Sequence, residues 1–214
     1  RNPDAGPWRD AHVKIVGPAV DVLEKVFEED WYFAAEERPK LPKAKVPKRD
    51  PHDTNCLMQV IPAGPVGDWD HNIILFMSLL QAAHQRLWIA TPYFVPDQLL
   101  KKEIELACLR GVDVRIIIPL QPDYRVMKWV GLSFAEELAG RGCKIYLYNR
   151  GFMHKKMVLV DDGTCSIGST NIDNRAMYLN FELSLVIHSL ELTRQAEGCF
   201  LQDFEQSLVW SAEM

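Results

Sequence analysis

His154 and Lys156 stand two residues apart where the chain enters the apolar run Met157–Val160, and Gly168, Ser169 and Asn171 follow a few residues later. Alternate residues of a strand point to one face, so this spacing projects an imidazole and an ammonium together. Neutral imidazole can attack phosphorus or protonate a leaving alkoxide near neutral pH. The Lys156 ammonium is a compact positive charge for phosphate oxygens that become more negative in the transition state. The Ser169 hydroxyl and the Asn171 amide add directional donors. A nucleophile or proton carrier, a fixed cation and neutral donors are the parts needed to hold and attack a phosphodiester. Glu182 opens a later strand and could accept a hydrogen bond from a histidine ring nitrogen, fixing its tautomer.

The elements around these residues form an alternating series. Patterning predicts strands at 57–61, 87–90, 112–118, 144–148 and 183–187, with a hairpin of 157–160 and 165–167 around Asp162-Gly163. Helices are predicted at 72–83, 97–110, 124–139 and 191–208. Strands alternating with helices imply an α/β fold with a mixed, largely parallel central sheet flanked by helices on both faces. Ahead of it, 10–16 alternates as a half-buried strand, and Val20, Leu23, Phe27 and Trp31 recur at helical spacing.

The end of the chain repeats its beginning. Asp10 opens one strand and Glu182 another; each is followed by a helix bearing Phe-x-x-Asp-aromatic, Phe27 to Trp31 and Phe200 to Phe204. The acid-to-Phe spacing is 17 residues in the first copy and 18 in the second. The repeat marks 1–36 as the strand–helix tail of a preceding half, 37–53 as a Pro/Lys-rich extended linker and 54–214 as a second half.

Composition narrows the functional classes. A net charge of −5 weighs against broad nucleic-acid binding, although a local basic groove is compatible with it. Five scattered cysteines without a CxxC pair indicate neither a zinc site nor a disulfide framework, and reduced intracellular thiols are the simpler reading. Asp68, Asp70 and His71 lack a further metal ligand at recognisable spacing and suit an acid-capped helix start. No apolar run approaches the roughly 20 residues that span a bilayer, so the segment is expected to be soluble as it stands. The start at Arg1 suggests a piece of something longer. His12, His52, His84 and His188 have no partners in pattern and read as structural or surface groups.

His154-x-Lys156-x4-Asp161 and, after six intervening residues, Gly168-Ser169-Thr170-Asn171 together resemble the signature of the phospholipase D superfamily. The text from Thr91 to Asp97, from Arg110 to Arg115, Gly151-Phe152-Met153-His154 and Asn180-Phe181-Glu182 is similar to bacterial cardiolipin synthases. Gly6-Pro7-Trp8-Arg9-Asp10 and Gly17-Pro18-Ala19-Val20 resemble the stretch after the first HxK motif in those enzymes, so the likeness covers essentially the whole chain. It implies a pseudo-twofold active site of two HxK halves without metal or cofactor. One His becomes phosphatidylated and the other acts as acid and then base, converting two phosphatidylglycerols into cardiolipin and glycerol. His154, Lys156, Asp161, Asn171 and Glu182 are the implied catalytic set, with Asp161 supporting the surrounding fold more than touching phosphate. Ser169 and Tyr93 are the substrate-binding candidates, Tyr93 being equally suited to packing. The implied partners are anionic phospholipids, a membrane surface reached through the parent protein, and the first half in cis. The implied location is the cytoplasmic face of a bacterial membrane.

This sequence departs from that pattern in holding one complete HxKxxxxD motif. Glu182 follows His154 by 28 residues, and the same distance before Asp10 lies upstream of Arg1, where the partner His and Lys are expected. Three readings follow: phosphatidyl transfer by the parent, hydrolysis by a related lipid hydrolase or nuclease, or a half-domain inactive alone unless two copies pair about a twofold axis.

Overall fold

A computed structural model of the chain describes residues 6–41, 56–66 and 70–211. In chain order, β1 (Trp8–Arg9) precedes helix α1 (Ala19–Ala35), and β2 (Leu57–Ala63) leads into α2 (His71–Ala82). Next come β3 (Arg86–Ala90), β4 (Phe94–Val95), α3 (Gln98–Leu109), β5 (Asp113–Pro119) and α4 (Arg125–Ala139). The chain continues through β6 (Lys144–Tyr148), β7 (Phe152–Met153), β8 (Met157–Val160), β9 (Thr164–Gly168) and β10 (Ile172–Asp173). It ends with α5 (Asn174–Tyr178), β11 (Glu182–His188), α6 (Leu190–Glu205) and β12 (Ser207–Val209).

Eight strands form one sheet in the order β12-β6-β5-β3-β8-β9-β11-β2. The sheet is mixed, as expected. Its parallel part, expected to be the larger, is confined to β3, β5 and β6, and the other ladders are antiparallel. Connection length is the cause: α3 and α4 supply the crossovers that parallel neighbours need, whereas only Asp161, Asp162 and Gly163 join β8 to β9.

Alternation along the strands sorts the apolar side chains into two cores. Leu87, Ile89, Val114, Ile116 and Val158 pack with Phe76, Leu80, Leu100, Ile104 and Leu138 of α2, α3 and α4. Trp88, Ile117, Met157, Leu159 and Ile187 point the other way, onto Ala196, Phe200 and Phe204 of α6. All four residues of β8 are therefore buried, which explains its unbroken apolar sequence.

Two expectations need correction. Residues 10–16 form no strand; only Trp8–Arg9 pairs, parallel to β7. A strand needs a neighbour for its N–H and C=O groups, and among the described residues none lines up beside 10–16. The last helix stops at Glu205, and Ser207–Val209 turns back along β6, extended by Trp210 N donating to Ile145 O at 2.8 Å. Helix α1 forms as expected but buries no residue. Most of the predicted linker lies outside the described residues.

Candidate active site

Two strand pairings converge on His154. β1 lies parallel to β7, and its ladder continues past both ends: Phe152 N donates to Pro7 O and His154 N to Arg9 O, each at 2.9 Å. A Cβ at Gly151 would sit 2.2 Å from Pro7 O, and its φ of 143° is open to glycine, so this residue permits the close approach of the two segments. The pairing brings Asp10, the residue after β1, onto the imidazole.

His154 Nδ1 lies 2.8 Å from Asp10 Oδ2, and Lys156 Nζ lies 2.8 Å from His154 Nε2. Lys156 Nζ also donates to the His154 carbonyl at 2.8 Å. A carboxylate only accepts and an ammonium only donates. The arrangement therefore fits an imidazole protonated at Nδ1, with its Nε2 lone pair turned toward Lys156. Trp8 and Phe152 pack on the ring, their centroids 4.3 and 5.6 Å from its own.

Burial pushes the Lys156 ammonium down to about 8, even though Asp10, Glu182, Asp123 and Asp173 all act to raise it. For Asp10, burial works to raise the carboxyl, but hydrogen bonds from His154 and the Ala11 amide and the nearby positive charge hold it below its ordinary value. Tyr93 donates its phenolic hydrogen to Asp123 at 2.6 Å. Burial first, then this bond to a carboxylate, raises its pKa. The structure thus ties Tyr93 to an acid that acts on Lys156.

The Gly168–Asn171 loop is locked to the head of β11. A Cβ on Gly168 would fall 2.2 Å from Leu183 O and 2.8 Å from Ser184 Cα, so only glycine permits this approach. Ser169 N donates to Leu183 O and Leu183 N to Ser169 Oγ, both at 2.9 Å, while the Ser169 hydroxyl donates to Glu182. Thr170 is buried and bonds Ser184 at 3.0 Å. Asn171 Oδ1 is buried and has no hydrogen-bond partner among the described residues. Glu182, read from sequence as the group that orients a histidine ring, instead receives Ser169 and the Asn180 amide, the latter at 3.0 Å. In this chain Asp10 takes the place at His154.

Asp161 stands at the far end of β8, in the left-handed region at φ 48°. Its carboxylate accepts the Gln85 and Arg86 amides at 2.8 and 2.9 Å and the His84 amide at 3.1 Å. Burial acts to raise this carboxyl, but the three amide bonds outweigh it and hold its pKa below the ordinary value. It fixes the start of β3 against the β8–β9 turn.

Residues 76–204 match a family model described as cardiolipin synthase, PLD-like domain. The chain belongs to this phospholipase D-like family. It is 40% identical over 212 residues to cardiolipin synthase A of Pseudomonas putida, covering 99% of this chain and 43% of the relative. Cardiolipin synthase A of Pseudomonas aeruginosa PAO1 is also 40% identical, over 211 residues, with 99% of this chain and 42% of the relative covered. The chain thus spans less than half the length of these curated relatives. Among solved structures the fold is similar to Nuc, a phospholipase D family member from Salmonella typhimurium, with a TM-score of 0.64 and 20% identity over 74% of this chain and all of that one. Phosphatidylserine synthase from Haemophilus influenzae aligns with a TM-score of 0.59 and 17% identity, over 92% of this chain and 48% of that one. At these identities both show the shared fold.

Sequence reasoning picked out His154 and Lys156, which the structure brings together, and used Asp10 only as a repeat marker. Its contact with His154 spans 144 positions and leaves no local signal. The equivalence of Asp10 with Glu182 was the available clue. Asp123 and Asp173, whose charges reach Lys156, carried none.

Proposed function

We propose that this chain is the C-terminal catalytic half of a phosphatidyltransferase of the cardiolipin synthase kind, which joins two phosphatidylglycerols into cardiolipin with release of glycerol. The observation that carries the reading is the line Asp10–His154–Lys156. Asp10 holds the Nδ1 proton and leaves Nε2 as the nucleophile. An incoming phosphodiester draws the Lys156 ammonium onto its oxygens, which frees the Nε2 lone pair. Nε2 then forms a bond to phosphorus as the bond to the glycerol oxygen breaks, and the departing alkoxide takes a proton from a second acid. A hydroxyl of the second phosphatidylglycerol afterwards displaces His154, giving its proton to the base thus formed. Asn171 is assigned the role of a donor to the phosphate through its amide nitrogen. No step calls on a metal or cofactor.

We assign the second acid to the histidine of a preceding HxK half, of which residues 1–36 are the tail, joined through 37–53 to the half at 54–214. Asp10 and Glu182 hold equal places in the repeat. If Asp10 of one half orients His154 of the other, Glu182 faces the reciprocal histidine, with Ser169 and Asn180 holding it ready. On this reading the isolated chain is nearly inactive. A homodimer pairing two copies of His154 competes with β1 and Trp8, which already cover one side of that ring. We propose a bacterial membrane, on its cytoplasmic face, as the location of the reaction, with the membrane attachment in the full-length protein.

Phosphatidyl transfer from labelled phosphatidylglycerol by the full-length protein tests the reading, which expects His154→Ala to abolish product and phosphoenzyme alike. Undiminished transfer by that variant removes His154 from the mechanism. A hydrolytic reading draws on one observation, the 28% exposure of the His154 side chain, which admits water. Phosphatidic acid as the main product would favour hydrolysis over transfer.

A further inference from the structure

Lys155, between the two motif residues, points away from them. It is 1% exposed, and its ammonium donates to Oδ2 of Asp203, which is fully buried on α6. The other oxygen of Asp203 accepts Arg9 Nε at 2.8 Å. Strand alternation accounts for the placement: Lys155 shares its face with Met157 and Leu159, which pack on α6, while His154 and Lys156 share the other parity.

One carboxylate therefore holds the immediate neighbours of both members of the Asp10–His154 pair. Arg9 precedes Asp10, and Lys155 follows His154. The same two segments are also joined by the backbone bond from His154 N to Arg9 O and by the imidazole contact itself. Asp203 sits between Phe200 and Phe204, both buried, on a helix whose N-terminus is capped by Ser189. A buried carboxylate in such surroundings persists only with charged partners. The salt bridge in turn raises the pKa of the Arg9 guanidinium. Two cations fixed on one rigid acid set the sliding position of β1 against β7, and with it the 2.8 Å contact between Asp10 and the ring.

We propose that Asp203, acting through Lys155 and Arg9, is the positioning residue that aligns Asp10 with His154. It touches no substrate. It is also the acid of the repeated Phe-x-x-Asp-aromatic motif, which the proposed mechanism leaves without a role. The consequence for turnover rests on the phosphatidyl-transfer reading; the alignment itself does not.

The test uses the paired substitution Lys155→Met/Asp203→Asn, which leaves neither partner as a lone buried charge. In the chain labelled with 15N, the imidazole nitrogen shifts of His154 report its tautomer. A single form protonated at Nδ1 is expected in the unaltered protein and a mixture in the variant. An unchanged single tautomer in a folded variant overturns the proposal. In the full-length enzyme kcat is expected to fall about ten-fold with KM little changed, since a small misalignment costs rate before binding. Added to Asp10→Asn, the paired substitution should then cost less than about three-fold more, because the contact it aligns is already gone. Full multiplication of the two losses means an independent structural role and also overturns the proposal. Should the paired variant not fold, Arg9→Gln serves instead, its side chain being 35% exposed; it should shift the tautomer the same way, and Arg9→Lys should restore it. If the full-length protein transfers no phosphatidyl group, the functional reading fails while the tautomer measurement still decides the alignment.

Discussion

Lys156 is the group whose titration is most open to direct measurement. Burial brings its pKa to about 8, and Asp10 is the first of the carboxylates opposing that fall. In Asp10→Asn this opposition is lost, so the lysine should titrate lower still. The two charges sit at opposite ends of the imidazole, one 2.8 Å from Nδ1 and the other 2.8 Å from Nε2. That puts them about 7 Å apart, worth about 2 kcal/mol at an effective dielectric near 20. Because the Asp10 side chain is 35% exposed, solvent screening reduces this to about 1 kcal/mol, somewhat under one pH unit. The lysine Cε signals in 1H–13C spectra of the chain, assigned with Lys156→Arg, give the midpoint directly and need no catalytic activity. The unaltered protein should titrate near 8, and the Asn variant about half a unit to one unit lower. A midpoint that stays put or rises would refute the placement of Asp10 as the acid supporting this cation. The functional corollary has the same sign: phosphodiester affinity should weaken as pH rises through about 8, where the charge is lost.

Gly168→Ala forces a methyl group to within 2.2 Å of Leu183 O, and should cost about 2–3 kcal/mol in urea unfolding while separating Ser169 from Glu182. A change under half of that would mean that β9 and β11 part easily. Asp161→Ala should lower stability by about 2 kcal/mol by orphaning three amides, with Asp161→Asn milder because asparagine tolerates the same backbone. The folded-state pKa of Asp161 lies below its unfolded value, so its contribution is complete above the ordinary carboxylate pKa and disappears as pH falls through the folded one. Acid titration of the Asp161→Asn variant should accordingly show a shallower loss of stability below about pH 4 than the unaltered protein.

The pairing of His154 with Lys156 was legible because strand parity is a local property: residues i and i+2 share a face whatever surrounds them. The same rule leaves Lys155 on the opposite face, yet nothing local says that α6 brings an acid there. Helix and strand periods located the longer elements from β2 to β11, since burial on both faces writes continuous apolar runs such as Met157–Val160, but they missed the short β4, β7, β10 and α5. They failed at Ser207–Val209, where an amphipathic helix pattern runs on into a strand held by β6. They failed also at 10–16, where alternation suggests a strand but no neighbour among the described residues pairs with it. The Asp10–His154 contact was hidden for a related reason: it joins segments 144 positions apart.

The two copies of the repeat differ in a way that bears on how the site is completed. Phe200, Asp203 and Phe204 are buried against the sheet, whereas Phe27, Asp30 and Trp31 are exposed on a helix with no buried residue. Asp10 finds a histidine in the opposite copy, whereas among the described residues Glu182 accepts from Ser169 and Asn180. Both differences have one explanation under the proposed reading: the first copy packs on a sheet outside these residues, and that sheet carries the histidine that Glu182 would orient. Each half then supplies the carboxylate that orients the other's histidine. His154 already has its acid within this chain, whereas the histidine facing Glu182 would be held only when the two halves meet, which couples orientation of that second histidine to assembly of the pocket that must shield the phosphohistidine from water.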